Sequence, residues 1–300
     1  MNNTDDLEEL GSVRDGVPPM SARAYQAGRR RLREEMADPT TRHSRLLSRR
    51  LLISGALAGA LTAGFISYQL TAPAGSQTAA AAEILTQAAD AVAPAKPLHP
   101  RPDQYVYRET LLLTNGLKNR SQSWKSADGR RPSMQKSRGD IINGTATLPV
   151  YSSRQGLANA PYLVLAALPT DPGRLLALLA KDPGVRAQVR GGSSQALAVW
   201  SLMRDMAGAA PPAQQAALFR AAANTLGIQR TDTAVKVAGQ TGVAVGLHDP
   251  GLGRVEMVFA TSDHHYLGER IVKDGQPDQV QFIYFLQRTA VVDRVGRLPA

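Results

Sequence analysis

The tripeptide Asp263-His264-His265 is the part of this sequence that most suggests chemistry. Aspartate and histidine can bind metal ions, and the order D-H-H occurs in a family of phosphoesterases. Adjacent residues of a strand point to opposite faces of a sheet, so these two histidines could not share a metal without further ligands. The other acidic motifs of that family are absent. We therefore interpret the tripeptide as a turn and expect no metal site.

Other motifs for catalysis or nucleotide binding are incomplete. Gly191-Gly192-Ser193-Ser194 lacks the lysine of a P-loop and the spacing of a G-x-S-x-G elbow. The chain has no cysteine, which excludes disulfides, thiolate zinc sites and a cysteine nucleophile. Tyr105, Tyr107 and Trp124 either line a cavity or, as is more common for aromatic residues of a strand meander, belong to the core. The sequence thus predicts no catalytic residue, no cofactor and no enzymatic activity.

Charge is unevenly spread along the 300 residues. The net charge is −4 over residues 1–15, +6 over 16–50, zero over 51–82 and +8 over 83–300, which gives the formal total of +10. A basic protein can bind nucleic acid or another anionic polymer. Here the basic residues after position 83 are scattered among acidic ones, and only Arg130 and Arg131 are adjacent. This pattern is typical of a solvated surface, and we expect no nucleic-acid partner.

The segment 51–70 is apolar and has the 20 residues that a helix needs to cross the hydrocarbon core of a membrane. The first charged residue after it is Glu83. Four basic residues precede it closely: Arg42, Arg45, Arg49 and Arg50. Because positive charge stays on the cytoplasmic side, the sequence predicts a single-pass protein with a cytoplasmic N-terminus and an extracytoplasmic C-terminal part. The lipid bilayer is then its first partner.

A second interpretation of the same segment is a cleaved export signal. Ser48-Arg49-Arg50-Leu51-Leu52-Ile53 resembles the twin-arginine pattern, and small residues suited to cleavage follow at Ala72-Pro73-Ala74. The 47 residues before this pattern favour an uncleaved anchor. Both interpretations place the chain from Thr71 onward outside the cytoplasm.

One face of the predicted membrane helix has small residues at every fourth position. They are Gly55, Gly59, Ala63 and Ser67. Such a face allows two membrane helices to pack closely, which would make a homodimer. A segment rich in glycine and alanine also produces this spacing by chance, and the sequence favours that explanation.

The sequence divides into a basic cytoplasmic arm with a short helix (1–50), the membrane helix (51–70), a linker of small residues (71–82) and an exported domain (83–300). In the exported domain, a helix is predicted for 81–92 and a strand meander for 104–136. Helices are predicted after the cap residues Thr170 or Asp171, over 195–206, and over 211–226 with Gly227 as the C-cap. Strands return at 242–248, 254–260, 266–273 and 280–291. Strands, helices and strands in this order predict an α+β domain whose sheet combines both halves of the chain.

Several stretches of the chain resemble those of an actinobacterial family of uncharacterised single-span membrane proteins. They are RPDQYVYRETLLL, the W-x-x-x-D-G element of Trp124, Asp128 and Gly129, LPTDPGRLLALL, PPAQQAALFRAAANTLGI, TGVAVGL and DHHYLGER. The exported part also resembles, distantly and by element order alone, the lipoprotein-carrier and sigma-regulator sensor fold. This resemblance implies a curved antiparallel sheet half-wrapped around helices, with a concave apolar face that could bind an acyl chain. Many relatives have P-G-V where this chain has Leu226-Gly227-Ile228.

Together these features predict a membrane-anchored, non-enzymatic protein of the cell envelope. Its exported domain would bind a lipid-like or protein ligand outside the cell, and the arm could relay that state inward. The alternative is a soluble lipid or lipoprotein carrier, released by cleavage after export. An enzyme is a third hypothesis, for which a cavity with converging titratable groups would be the supporting observation.

Overall fold

The structure, a computed structural model, describes residues 76–114, 116–237, 239–273 and 280–299. The predicted cytoplasmic arm and membrane helix lie outside these ranges. So do the residues assigned to topology and to helix packing: Arg42, Arg45, Arg49, Arg50, Gly55, Gly59, Ala63 and Ser67. Within the described ranges, every helix is too short or too polar to span a bilayer.

A single antiparallel sheet of nine strands runs through the described part of the chain. The strands are β1 (Tyr105–Thr114), β2 (Leu117–Ser126), β3 (Ser133–Gly139), β4 (Gly144–Leu148), β5 (Gln229–Val237), β6 (Gln240–Asp249), β7 (Gly253–Ala260), β8 (Tyr266–Val272) and β9 (Val280–Val292). Their order in the sheet is β4-β3-β2-β1-β9-β8-β7-β6-β5. Two meanders are therefore joined by the pairing of β1 with β9, which places Arg108 opposite Thr289. The prediction that the sheet combines both halves of the chain is confirmed.

One helix precedes the sheet, and the others lie between β4 and β5 in the chain. They are α1 (Ser76–Val92), a 3₁₀ turn (Ser153–Gln155), α2 (Tyr162–Ala166), α3 (Pro172–Leu179), α4 (Pro183–Arg190), α5 (Gln195–Ala207) and α6 (Pro212–Ala223). This segregation of helices and antiparallel strands is the predicted α+β class.

The helices cover one face of the sheet. Strand side chains alternate between faces, so Val243, Val245 and Leu247 join a buried cluster with the helices, whereas Ala244 joins a second cluster. Helix α5 contributes the fully buried Trp200 to the first cluster. The second cluster lies on the opposite face and includes side chains of β6 to β9.

Two helices begin at the same tripeptide, Asp-Pro-Gly. The Asp171 carboxylate accepts a hydrogen bond from the Arg174 N–H at 2.7 Å, and that of Asp182 accepts one from the Gly184 N–H at 2.8 Å. A side-chain acceptor at this position satisfies N–H groups that have no partner within the helix, and proline suits the first helical position. Asp171 is thus the predicted cap of α3, whereas α4 was not predicted.

Several predicted boundaries differ from the structure. Helix α1 begins at Ser76, so part of the predicted linker 71–82 is helical. Helix α6 ends at Ala223 with Asn224 as its C-cap, and Gly227 instead lies in the loop before β5. Gly227 was therefore wrongly assigned as the cap.

Candidate ligand-binding site

The Asp263-His264-His265 tripeptide lies in the exposed connection between β7 and β8. The Nδ1 atom of His265 is 2.5 Å from the Asp263 carboxylate, so the contact is local. No cluster of three histidine or acidic side chains in the described ranges could hold a metal ion. The tripeptide is a turn, as predicted.

Tyr105, Tyr107 and Trp124 form a small buried cluster with Val292. The rings of Tyr107 and Trp124 have centroids 5.3 Å apart, and the Trp124 indole N–H donates to the Arg297 carbonyl oxygen at 2.6 Å. None of the three lines any of the cavities described below. Of the two alternatives for these residues, the structure supports the core.

A cavity of about 240 Å³ lies where β1, β2, β8 and β9 meet α5 and the loop before α2. We call it the charged cavity. Its polar lining includes three cationic and two acidic side chains, with two tyrosines beside them: Arg108, Lys125, Arg204, Asp205, Glu269, Tyr266 and Tyr284. Formal charge in the lining is therefore +1, and the excess is cationic.

Arg108 brings to this cavity a hydrogen-bond donor without a partner among the described residues. Its Nε atom is buried and has no hydrogen-bond partner within the described residues. Burial lowers the pKa of the Arg108 guanidinium, against the attraction of Tyr266 and Glu269. Gly208 makes room for it, because a Cβ atom there would lie 2.9 Å from Arg108 Nη2. Gly208 is also the C-cap of α5, where the helix dipole favours a cation.

Arg204 forms ion pairs with the two acidic residues of the cavity. Its Nη2 atom is 2.7 Å from Asp205 Oδ1, and its Nε atom is 2.7 Å from Glu269 Oε2. Burial opposes the charge of Arg204, but Glu269 and Asp205 outweigh it and raise the pKa of Arg204. The Glu269 oxygen is buried and accepts no well-aligned hydrogen bond, and burial raises the pKa of Glu269 despite Arg204.

Lys125 is the only amine in the lining of the charged cavity. Its Nζ atom is 3.4 Å from Asn159 Oδ1, a long and neutral contact. Burial, followed by repulsion from Arg108, lowers the pKa of Lys125 to about 8. A substantial part of this amine is therefore neutral near physiological pH.

The tyrosines bound the cavity on the sheet side. Burial raises the pKa of Tyr266 well above its ordinary value, so that this phenol stays protonated, and burial also raises the pKa of Tyr284. The volume corresponds to about eight water molecules at about 30 Å³ each. It is smaller than the about 300–1,000 Å³ of pockets for drug-sized ligands. The charged cavity thus suits a small anionic group.

Comparisons with known proteins identify only distant likeness. No protein-family model matches the sequence, and no curated protein matches it significantly. Among solved structures, MucB in the MucA/MucB complex of Pseudomonas aeruginosa is 11% identical with a TM-score of 0.28, over 74% of this chain and 59% of that chain. MucB alone is 12% identical with a TM-score of 0.29, over 74% of this chain and 61% of that chain. A LolA superfamily protein from Nitrosomonas europaea is 9% identical with a TM-score of 0.20, over 73% of this chain and 94% of that chain.

This chain therefore spans about three fifths of MucB. These TM-scores are too low for a residue role or a ligand to be transferred. The resemblance to an actinobacterial family of membrane proteins stays a prediction.

Two further cavities have a more apolar lining. One, of about 460 Å³, lies beside the loop after α1 and is lined by several prolines and alanines with Leu98, Tyr162 and Leu163. The other, of about 420 Å³, includes Leu163, Val164 and Ala167. Both lie at the ends of helices, and neither is the concave apolar face of the sheet that the resemblance implied.

None of the charged residues of the charged cavity was predicted as a site residue from the sequence. Arg108, Lys125 and Arg204 were among the basic residues attributed to a solvated surface. One indication was present in β1. Arg108 is two residues from both Val106 and Thr110, and residues at this spacing lie on the same face of a sheet. A second was Glu269, which with Arg270 places two adjacent charges in the strand YLGERIV.

Proposed function

We propose that residues 76–299 form an extracytoplasmic binding domain that is held at the membrane by residues 51–70 and does not catalyse a reaction. Its ligand presents a small anionic group to the charged cavity. The observation that carries this proposal is the Nε atom of the Arg108 guanidinium, which is buried and lacks a hydrogen-bond partner within the described residues. A buried donor without a partner is costly, and an anionic ligand would satisfy it.

The polar lining favours the headgroup of a lipid-like ligand, or an acidic side chain of a protein ligand, over an acyl chain. Hydrogen bonds in the cavity join Lys125 to Asn159 and Arg204 to Asp205. Neither pair is a nucleophile held by a general base, which supports binding over catalysis.

Replacement of Arg108 by glutamine is expected to weaken anion binding by about 10- to 100-fold. A hydrogen bond to a charged group contributes about 1.5–3 kcal/mol, which corresponds to this range. The measurement is isothermal titration calorimetry of the full chain in detergent micelles with glycerol 1-phosphate as the probe.

The matched control is Arg190→Gln, which removes the same charge from an exposed position at the end of α4. It should bind glycerol 1-phosphate as the native protein does. Equal losses in both variants would mean that net charge, and not the cavity, attracts the anion. An unchanged affinity in Arg108→Gln would contradict the proposed site.

Membrane fractionation with intact-mass measurement separates the anchor from the alternative of a cleaved carrier. We expect the mature protein in the membrane fraction, with a mass that includes residues 1–70. The reason is that residues 51–70 are long and apolar enough to stay in the bilayer. A soluble species that begins near Gly75 or Glu83 would instead establish the released carrier.

A further inference from the structure

Lys125 has the surroundings of a reactive amine. It lies half-buried on β2 and lines the charged cavity, so its Nζ atom can be reached by a molecule in that cavity. Arg108 is diagonal to it on the neighbouring strand β1, where Val106 is opposite Lys125 and Arg108 is opposite Ser123. No carboxylate of the described residues forms an ion pair with Lys125.

These contacts favour the neutral amine. Lysines become nucleophilic when they are desolvated or lie beside another cation, because both effects disfavour the ammonium ion. The groups that face the cavity from its other walls are Arg204 and Asp205 of α5, Tyr266 and Glu269 of β8, and Tyr284 of β9. The two acids lie on the side of Arg204, whereas Lys125 interacts with Arg108.

The same cavity also has a hydrogen-bond donor that can bind a negatively charged group. The Nε atom of Arg108 is buried and has no partner within the described residues, and Arg108 lies diagonal to Lys125 on the paired strands β1 and β2. A ligand whose anionic group binds Arg108 would therefore bring a neighbouring electrophilic carbon towards the Lys125 amine. This geometry selects small ligands in which the two functions are adjacent, because the cavity holds only about 240 Å³.

We propose that Lys125 is a covalent binding site for a small aldehyde or ketone that carries an anionic group next to its carbonyl. The neutral amine adds to the carbonyl carbon, and a C–N bond forms. The carbonyl oxygen then leaves as water with the two protons of the amine, which gives an imine. The step is reversible, involves no oxidant or reductant, and rests on the anion recognition proposed above.

Trapping with glyoxylate tests this proposal. The full chain in detergent micelles is incubated with glyoxylate and sodium cyanoborohydride at pH 7.5, and modified lysines are quantified by peptide mass spectrometry. At this pH about a quarter of an amine with a pKa near 8 is neutral, against about one in a thousand for an ordinary lysine. Because a less basic amine is also a weaker nucleophile, we expect Lys125 to react at least about tenfold faster than exposed lysines.

Lys118, Lys136 and Lys181 are exposed and serve as internal controls. Arg108→Gln should reduce the trapping of glyoxylate at Lys125 more than the trapping of acetaldehyde, which has no anionic group and loses only the effect of Arg108 on the pKa of Lys125. A rate at Lys125 that equals that of the exposed lysines would overturn the covalent site. Equal rates of Lys125 with glyoxylate and acetaldehyde would overturn the preference for an anionic carbonyl compound.

Two outcomes separate the covalent site at Lys125 from anion binding at Arg108. If glycerol 1-phosphate binds in an Arg108-dependent manner while Lys125 is not trapped, the covalent site is wrong and the anion-binding function stands. If Lys125 is trapped rapidly but without preference for glyoxylate, the amine is reactive and recognition of the anion by Arg108 is wrong.

Discussion

Replacement of Trp200 by alanine should lower the free energy of unfolding by about 3–5 kcal/mol. Trp200 is fully buried in α5, in the cluster that joins the helices to β6, β7 and β8. Its indole N–H donates to the Val255 carbonyl oxygen of β7 at 3.0 Å. The substitution therefore removes a large apolar side chain, leaves a cavity and breaks a buried hydrogen bond between the two layers.

Urea unfolding of the full chain, followed by circular dichroism, measures this change. Trp200→Phe keeps most of the ring volume and loses the indole donor, so we expect a smaller cost for it than for Trp200→Ala. Leu178→Ala is the control, because Leu178 is 37% exposed on α3 and its truncation should change stability little. A loss below about 1 kcal/mol in Trp200→Ala would show that this contact does not hold the layers together.

The effect would extend to the charged cavity. Arg204 and Asp205 follow Trp200 by about one helical turn, and they form one wall of the cavity. Trp200 fixes the part of α5 that carries these two side chains. A variant that stays folded but shifts this helix should therefore also lose affinity for glycerol 1-phosphate.

The tripeptide Asp-Pro-Gly shows how far local sequence determines the fold. It occurs three times, at 171–173, 182–184 and 249–251. The first two copies begin helices, whereas in the third the Asp249 carboxylate accepts from the Gly251 and Leu252 N–H groups in a turn between β6 and β7. Because the local hydrogen bonds are alike, the sequence after each tripeptide determines which element forms. Alternating apolar residues give a strand, and apolar residues with helical spacing give a helix.

The unpredicted elements have weak local patterns. Strand β5 contains charged and polar residues at close spacing (QRTDTAVKV), and among the described strands it pairs with β6 alone, at one edge of the sheet. Strand β4 has five residues and lies at the opposite edge. Such strands depend on pairing with a neighbour and less on a buried face, so tertiary context determines them.

The charged cavity could not be predicted for a different reason. Arg108 and Lys125 lie on the paired strands β1 and β2, whereas Glu269 of β8 and Arg204 of α5 join them only because β1 pairs with β9, β9 pairs with β8, and the helices cover that face. The sequence favoured a sheet from both halves of the chain, but not the strand order that brings β8 close to β1. Single basic residues in a basic protein are usually solvated, and nothing local distinguishes these from the others.

Replacement of Glu256 by leucine should lower the free energy of unfolding by about 3–5 kcal/mol. Glu256 lies on the face of the sheet opposite the helices. Glu256 is fully buried on β7, and Arg270 on β8 is 5% exposed. The carboxylate accepts from Arg270 Nε and from the Thr231 hydroxyl, and it is 2.9 Å from Arg254 Nη2. Without Glu256, the Arg270 guanidinium would remain buried with no counter-charge.

The neighbouring strand is fitted to this side chain. Gly246 of β6 lies opposite Glu256, and a Cβ atom at Gly246 would be 2.6 Å from Glu256 Cγ. Glycine thus leaves the space in which the glutamate lies flat over the sheet. The leucine of Glu256→Leu is similar in size to the glutamate, so the expected loss comes from the uncompensated charge and not from a steric clash.

The double variant Glu256→Leu/Arg270→Leu separates these contributions. Removal of both charges eliminates the desolvation penalty of Arg270, so the double variant should recover a large part of the loss measured in Glu256→Leu. Glu83→Leu, at an exposed position of α1, is the control for loss of a carboxylate and should change stability by less than about 0.5 kcal/mol. A double variant as unstable as the single one would contradict this account, because the cost would then lie in packing and not in the unpaired arginine.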